Sequence, residues 1–310
     1  MHFKESERLR NLQPYLFAEI DKIINEKRSQ GLDVISLGIG DPDMPTPGEI
    51  VEALCMEAGN PENHRYPSSY GLKIFKEAVA EYYYQRFNVN LDPDREVVPL
   101  LGSKEGISDI AYTYINSGDY AIMTDPSYLV YRISTIFAGG TPWMIPLKKE
   151  NGFLFDTDDI EADIAAKAKI LYMNYPNNPT TATCSVEFFE KIEQFARKNN
   201  IIVCHDNAYS DIYDGEERPA SFLNAAGSKN TGIELNSLSK TFNMTGWRIG
   251  CAVGNEEIIN SIGKYKTNVD SGVFNAVQRA AAVALGSYKK HADKNNQVYN
   301  KRRDMVKNAL

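Results

Sequence analysis

The sequence predicts an α/β protein: a three-layer α/β/α domain built on a mainly parallel sheet. Three observations carry this. Short apolar β-type runs alternate with helix-period segments from residue 95 onward. Gly- and Pro-rich turns punctuate the ends of those runs. The residues with chemical potential fall just after the carboxyl ends of the runs, where open parallel sheets bind ligands.

Taken in order, Leu16, Phe17, Ile20, Ile23 and Ile24 repeat at helical spacing, and Gly31 ends that helix. Asp33 to Leu37 reads as a short strand. Residues 38–47 carry too many Gly and Pro to be regular, so they are either a connector or a backbone that approaches a ligand. Glu49 to Glu57 reads as a helix. The aromatic-rich loop Arg65 to Gly71 follows, and then a helix from Leu72 to Phe87. A tyrosine such as Tyr70 on such a loop more often serves packing than function.

Val97 to Leu101 is an apolar run that ends in Gly102-Ser103-Lys104-Glu105-Gly106, before a helix over Ile107 to Ile115. A strand, a Gly/Ser turn and a helix N-terminus together suit an anion, because backbone N–H groups and the helix dipole point at it. Further strands are predicted at Tyr120 to Met123, Met144 to Leu147, Lys169 to Met173 and Ile201 to Cys204. Helices are predicted at 129–138 and Val186 to Lys198. Two more helical stretches cover 256–266 and 276–308. The last stops at Leu310 without a cap or a following strand, so a longer protein is expected. The polar groups at strand ends are Ser103, Lys104, Tyr128, Asn178, Asp206, Tyr209 and the segment from Ser237 to Arg248.

The formal charge is −7 over 310 residues. That acidic balance argues against nucleic acid as a partner. Cys55, Cys184, Cys204 and Cys251 form no C-x-x-C pair, and the four histidines do not cluster, so neither a metal site nor a disulfide framework is expected. The charged N-terminus lacks the apolar core of a signal peptide, and no run of about 18 apolar residues marks a membrane span. A cytoplasmic location is expected.

The chemistry centres on Ser237-Leu238-Ser239-Lys240-Thr241, followed by Gly246-Trp247-Arg248-Ile249-Gly250, which reads as a loop between two strands. Two serines and an arginine can hold one phosphate. A lysine beside a phosphate site can form a Schiff base with an aldehyde-bearing phosphate cofactor. The combination points to pyridoxal phosphate. That cofactor also needs an acid at its ring nitrogen, for which Asp206 is suited. Asn178 and Tyr209 suit its ring oxygen, and Tyr128 its ring face.

These stretches resemble the class I/II, fold-type I pyridoxal phosphate-dependent aminotransferases. The matching motifs are Asn178-Pro179-Thr180, His205-Asp206-Asn207-Ala208-Tyr209, Ser237-Leu238-Ser239-Lys240 and Gly246-Trp247-Arg248-Ile249-Gly250. The resemblance runs from about residue 8 to the end. It implies Lys240 as Schiff-base residue and proton shuttle, and Asp206 at the ring nitrogen. It places Asn178 and Tyr209 at the ring oxygen and Tyr128 against the ring. Ser103, Lys104, Ser237, Ser239 and Arg248 would line the phosphate, with Tyr70 reaching it from the second subunit of a homodimer. Within the family, Arg8 to Phe17, Gly38 to Asp43, Tyr66 to Leu72 and Gly102 to Ile107 are most similar to the LL-diaminopimelate subfamily. That likeness implies substrate contacts by Tyr15, Gly40, Lys104, Tyr128, Asn178 and Asn275.

The implied activity transfers an amino group from an amino acid to a 2-oxo acid by a ping-pong route. Alternatives are an alanine, aspartate or methionine aminotransferase, a lyase on the same cofactor, or a non-catalytic domain of the same fold. The implied domains are 1–45 (N-terminal arm and part of a small domain), 46–283 (large cofactor-binding domain) and 284–310 (start of a C-terminal small domain). Family members run past 310 residues and bind the substrate carboxylate through an arginine in that small domain. Arg279, Arg302 and Arg303 lie outside its motif, so poor turnover, rescued by a C-terminal extension, is expected.

Overall fold

The computed structural model describes residues 3–10, 12, 16–38, 40–215 and 217–310, with the side chains of Leu16 and Phe17 excepted. The chain forms two units, Met1–Asp43 and Met44–Leu310. The first holds α1 (Glu7–Arg10) and α2 (Leu16–Ser29), which Gly31 ends in a left-handed conformation at φ +83°.

The second unit contains, in order, α3 (Gly48–Ala58), α4 (Lys73–Phe87), β1 (Val97–Leu100), α5 (Ser103–Tyr114), β2 (Tyr120–Asp125), α6 (Val130–Phe137), β3 (Thr141–Pro146), α7 (Ala162–Ala165), β4 (Ala168–Met173), α8 (Val186–Asn199), β5 (Ile202–Asp206), α9 (Ser228–Thr231), β6 (Gly232–Ser237), α10 (Leu238–Thr241), β7 (Gly250–Gly254), α11 (Glu256–Lys266), α12 (Asn275–Gly286) and α13 (Tyr288–Ala309). Among the described residues the strands form one sheet in the order β1-β7-β6-β5-β4-β2-β3. Strands β2 to β6 run parallel, and β7 lies antiparallel between β1 and β6.

Alternation along the strands builds the three layers. Leu171 and Met173 join one apolar cluster with residues of α3, α4, α8 and α12. Ile170 and Tyr172 join the other with α5, α6 and α11. A sheet covered on both faces needs nearly continuous apolar strands, and β6 and β7 are buried at every position.

Four expectations change. Asp33 to Leu37 is not a strand: Ile35 and Leu37 are 83% and 90% exposed, and the segment pairs with no described strand, so its apolar alternation has no ladder to join. The helix predicted from Ile107 begins at Ser103, which puts Ser103 and Lys104 in its first turn. The loop from Ser237 to Arg248 contains α10 and a 3-10 turn, Thr245–Trp247. These turns hold the segment at one edge of the sheet, so β7 runs back antiparallel rather than crossing over. The stretch 276–308 is two helices, broken at Ser287.

Candidate active site

The topology gathers the predicted residues. Ser103, Tyr128, Asn178, Tyr209 and Lys240 follow the carboxyl ends of β1, β2, β4, β5 and β6; Asp206 and Ser237 are the last residues of β5 and β6. Because β7 is antiparallel to both neighbours, Arg248 at its start lies on the same edge: Gly250 pairs with Leu100 of β1 and with Ser237 of β6.

Asp206 is 5% exposed. Its Oδ2 accepts a hydrogen bond from the Tyr131 hydroxyl at 2.9 Å, whereas Oδ1 is buried and has no hydrogen-bond partner. Burial pushes this carboxyl up from the ordinary range; the Tyr131 hydroxyl, the neighbouring His205 and the Ala208 amide oppose the shift. Tyr131 stacks on Tyr172 at 5.2 Å and meets Tyr128 edge-on at 5.8 Å, so Tyr128 sits beside the group that holds Asp206.

Asn174 links the ends of β4 and β5. Its Nδ2 donates to the Asp206 carbonyl at 2.6 Å, and its Oδ1 accepts from the Asn178 amide at 2.6 Å. The Asn178 side chain in turn hydrogen-bonds Tyr209. Burial, and secondarily the Asp206 carboxylate, pushes the Tyr209 phenol up, while Asn178 opposes this, so Tyr209 is a neutral hydrogen-bond donor near pH 7. The Lys240 ammonium lies 5.9 Å from the centre of the Tyr209 ring. Its helical turn is pinned through Thr241, whose hydroxyl donates to Asp211 Oδ2 at 3.2 Å and whose carbonyl accepts from Asn295 at 2.8 Å.

The other end is a cradle. Arg248 takes a left-handed conformation (φ +53°), and its guanidinium donates to the carbonyls of Thr245 (2.8 Å) and Leu101 (3.2 Å). Its plane lies where Gly102, itself at φ +84°, would carry a side chain: a Cβ there would meet Nη2 at 2.1 Å. Gly250 keeps a second approach open, since its Cβ would lie 3.1 Å from the Ser103 amide. The α5 helix has no side-chain cap at its N-terminus. Ser237 Oγ accepts from the Ser239 amide at 3.2 Å and both serines are buried, which fixes them beside β7. The Arg248 guanidinium thus lies against the turn that opens α5, a cation beside a helix N-terminus, which is a pairing suited to an anion.

These features fit pyridoxal phosphate. A buried carboxylate oxygen without a protein partner suits a protonated ring nitrogen, and a guanidinium that Gly102 admits to the N-terminal turn of α5 suits a phosphate.

Two further predicted residues stand on other elements. The Tyr70 ring packs on α11, where a Cβ on Gly263 would meet its Cε1 at 2.3 Å. Asn275 opens α12 with a buried Oδ1 that has no hydrogen-bond partner. Gly40 belongs to the first unit. Tyr15 falls outside the described residues. Sequence reasoning missed Tyr131 and Asn174, and the buried set behind Asp206 in which Glu234 accepts from Tyr83 (2.7 Å), Asn207 (2.8 Å) and Ser221 (2.7 Å) and meets His205 Nδ1 at 2.8 Å. The spacing Asn174-x-x-x-Asn178 after a strand was the one signal that could have found Asn174.

The sequence model of the family "Aminotransferase class I and II" matches residues 32–310. An LL-diaminopimelate aminotransferase of Aquifex aeolicus is 54% identical over 308 residues, covering 99% of this chain and 80% of that protein. One of Moorella thermoacetica is 51% identical over 304 residues, covering 98% and 78%. Among solved structures, substrate-bound BacF from Bacillus subtilis superposes with a TM-score of 0.94 at 36% identity, covering 98% of this chain and 77% of that one. A Thermus thermophilus aspartate aminotransferase mutant does so at 0.92 and 26%, covering 100% and 80%. The chain therefore belongs to the class I and II aminotransferases, and it is a transaminase whose cofactor is pyridoxal phosphate.

Proposed function

We propose that this transaminase moves the amino group of LL-2,6-diaminopimelate to 2-oxoglutarate, in lysine and diaminopimelate biosynthesis, by a ping-pong route. The observation that carries the substrate is the set of relatives named LL-diaminopimelate aminotransferase, 48–54% identical across at least 98% of this chain.

When bound, the cofactor supplies an electrophilic carbon and an electron-accepting ring that stores the amino group between the two half-reactions. The residues divide the remaining work. Lys240 Nζ would hold the cofactor and move the proton at the substrate α-carbon. Asp206 Oδ1 holds the proton on the ring nitrogen; its burial and its lack of another partner support this. Tyr209, as a donor, and Asn178 orient the ring oxygen, and Tyr128 packs on the ring. Ser103, Lys104, Ser237, Ser239, Arg248 and the α5 N-terminus hold the phosphate. Lys104, Tyr128, Asn178, Asn275, Gly40 and Tyr15 contact the substrate. The same reading assigns residues 46–283 to the cofactor domain and 284–310 to the start of a second domain. It makes the working form a cytoplasmic homodimer in which Tyr70 reaches the partner's phosphate.

The test is product formation. LL-Diaminopimelate and 2-oxoglutarate should yield glutamate at a rate that alanine or aspartate does not match, and Lys240→Ala should abolish it. Preference for alanine or aspartate would overturn the substrate while leaving the reaction class.

A further inference from the structure

We infer that Lys266, which pairs with Glu105 and Asp270, positions the phosphate end of the site and ties it to the loop that presents Asn275. Its side chain is 0% exposed at the end of α11. Nζ lies 2.8 Å from Glu105 Oε2 on α5 and 2.8 Å from Asp270 Oδ2. Each carboxylate has a second task on a backbone. Glu105 Oε2 accepts the Leu101 N–H at 2.7 Å, and the Leu101 carbonyl accepts Arg248 Nη2 at 3.2 Å. Asp270 Oδ1 accepts the Gly272 N–H. Gly272 is packed so closely that a Cβ on it would meet the Ser68 carbonyl at 2.8 Å. Gln278 completes the tie, donating to the Val273 carbonyl (2.7 Å) and accepting from the Leu72 N–H (2.7 Å).

One buried ammonium therefore fixes three segments: 101–103 with Arg248, 270–275 before α12, and 68–72 around Tyr70. An exposed ion pair would fix little. Here the cation is wholly desolvated and both carboxylates are largely buried, so its removal leaves two confined anions beside a third carboxyl, Asp109. Their repulsion acts on the Leu101 and Gly272 amides they hold.

The inference rests on the assignment of residues 101–103 and Arg248 to the phosphate. The test compares pyridoxal phosphate with pyridoxal, which lacks the phosphate, on the cofactor-free full chain, by quenching of Trp143 and Trp247 fluorescence. Lys266→Met should weaken pyridoxal phosphate about tenfold and pyridoxal less than about twofold, since only the phosphate end is displaced. Equal weakening of both, or no change in either, would overturn the inference. Arg248→Ala separates the two layers of argument: it must erase the preference for the phosphorylated ligand, and if it does not, the phosphate assignment itself fails. Should Lys266→Met not fold, Asp270→Asn keeps the Lys266–Glu105 pair. It should leave the preference for the phosphorylated ligand intact, whereas Glu105→Ala, which frees the Leu101 N–H and leaves the Lys266–Asp270 pair, should shift that preference as Lys266→Met does; an unchanged preference in Glu105→Ala would contradict the tie.

Discussion

Asp206 has one carboxylate oxygen held by Tyr131 and one that is buried without a hydrogen-bond partner. A buried acceptor left without a partner is costly, and a ligand donor would remove that cost. Asp206→Asn preserves volume but removes the charge that, on the proposed assignment, keeps the ring nitrogen protonated. It is expected to lower kcat/KM by about 100-fold or more while the protein still folds, as steady-state kinetics and a thermal melt would report. Asp109 gives a different titration. Burial pushes its carboxyl up to about 8, with Glu105 adding to the shift and Lys266 opposing it. An acid whose folded pKa is raised holds its proton longer in the native state, so Asp109 costs no stability below about pH 4 and costs progressively more as pH rises through about 8. Asp109→Asn should flatten that decline in denaturant melts taken at pH 5, 7 and 9. At this scale the placement of the proposed groups was legible in the sequence, because Asp206 ends a strand, Asn178, Tyr209 and Lys240 follow strands, and Arg248 precedes one. Their supports were not. Tyr131 reaches Asp206 across 75 residues of chain and reads as an ordinary apolar helix position; Lys266 reads as the last solvated lysine of a helix.

Among elements, the short turn α10 depends on what holds it. Asp211, two residues after Tyr209, accepts from Arg86 Nε (2.9 Å), the Tyr82 hydroxyl (2.9 Å) and the Thr241 hydroxyl (3.2 Å), while Asn296 donates to its carbonyl (2.9 Å). This joins α4 and α13 to the turn that carries Lys240. The Arg86 and Asp211 side chains are 3% and 2% exposed, so losing one partner strands the other charge. Asp211→Ala is expected to cost about 3–5 kcal/mol in chemical denaturation, and to reduce activity by displacing Thr241. At the cradle, Gly102→Ala forces a methyl group into the Arg248 guanidinium from a backbone that already favours glycine. It should weaken pyridoxal phosphate binding about tenfold or more in equilibrium titration, with a smaller loss of stability. The helices and parallel strands followed from periodicity, which local burial enforces. The direction of β7, the break at Ser287 and the irregular course of Asp33 to Leu37 did not follow, because each is decided by which segment lies alongside. Apolar alternation states that a residue wants to be buried; it does not state against what.

At the scale of the molecule, the proposed homodimer makes each site a joint product of two chains. Mixing chains that carry Tyr70→Ala with chains that carry Lys240→Ala, each inactive alone, should restore about a quarter of wild-type activity, because half of the randomly assorted dimers then hold one intact site. No recovery, with mixed dimers verified by sedimentation and tagged pull-down, would place Tyr70 outside the shared site. The gathering of strand ends at the carboxyl edge of the sheet and the family membership agree on an amino acid handled there. The most direct measurement is a single half-reaction: protein loaded with pyridoxal phosphate, given LL-diaminopimelate and no 2-oxoglutarate. The account predicts one equivalent of substrate deaminated per site, then a halt until 2-oxoglutarate is added, with none deaminated by Lys240→Ala. Continuous turnover without the oxo acid, or release of carbon dioxide in place of amino transfer, would contradict it.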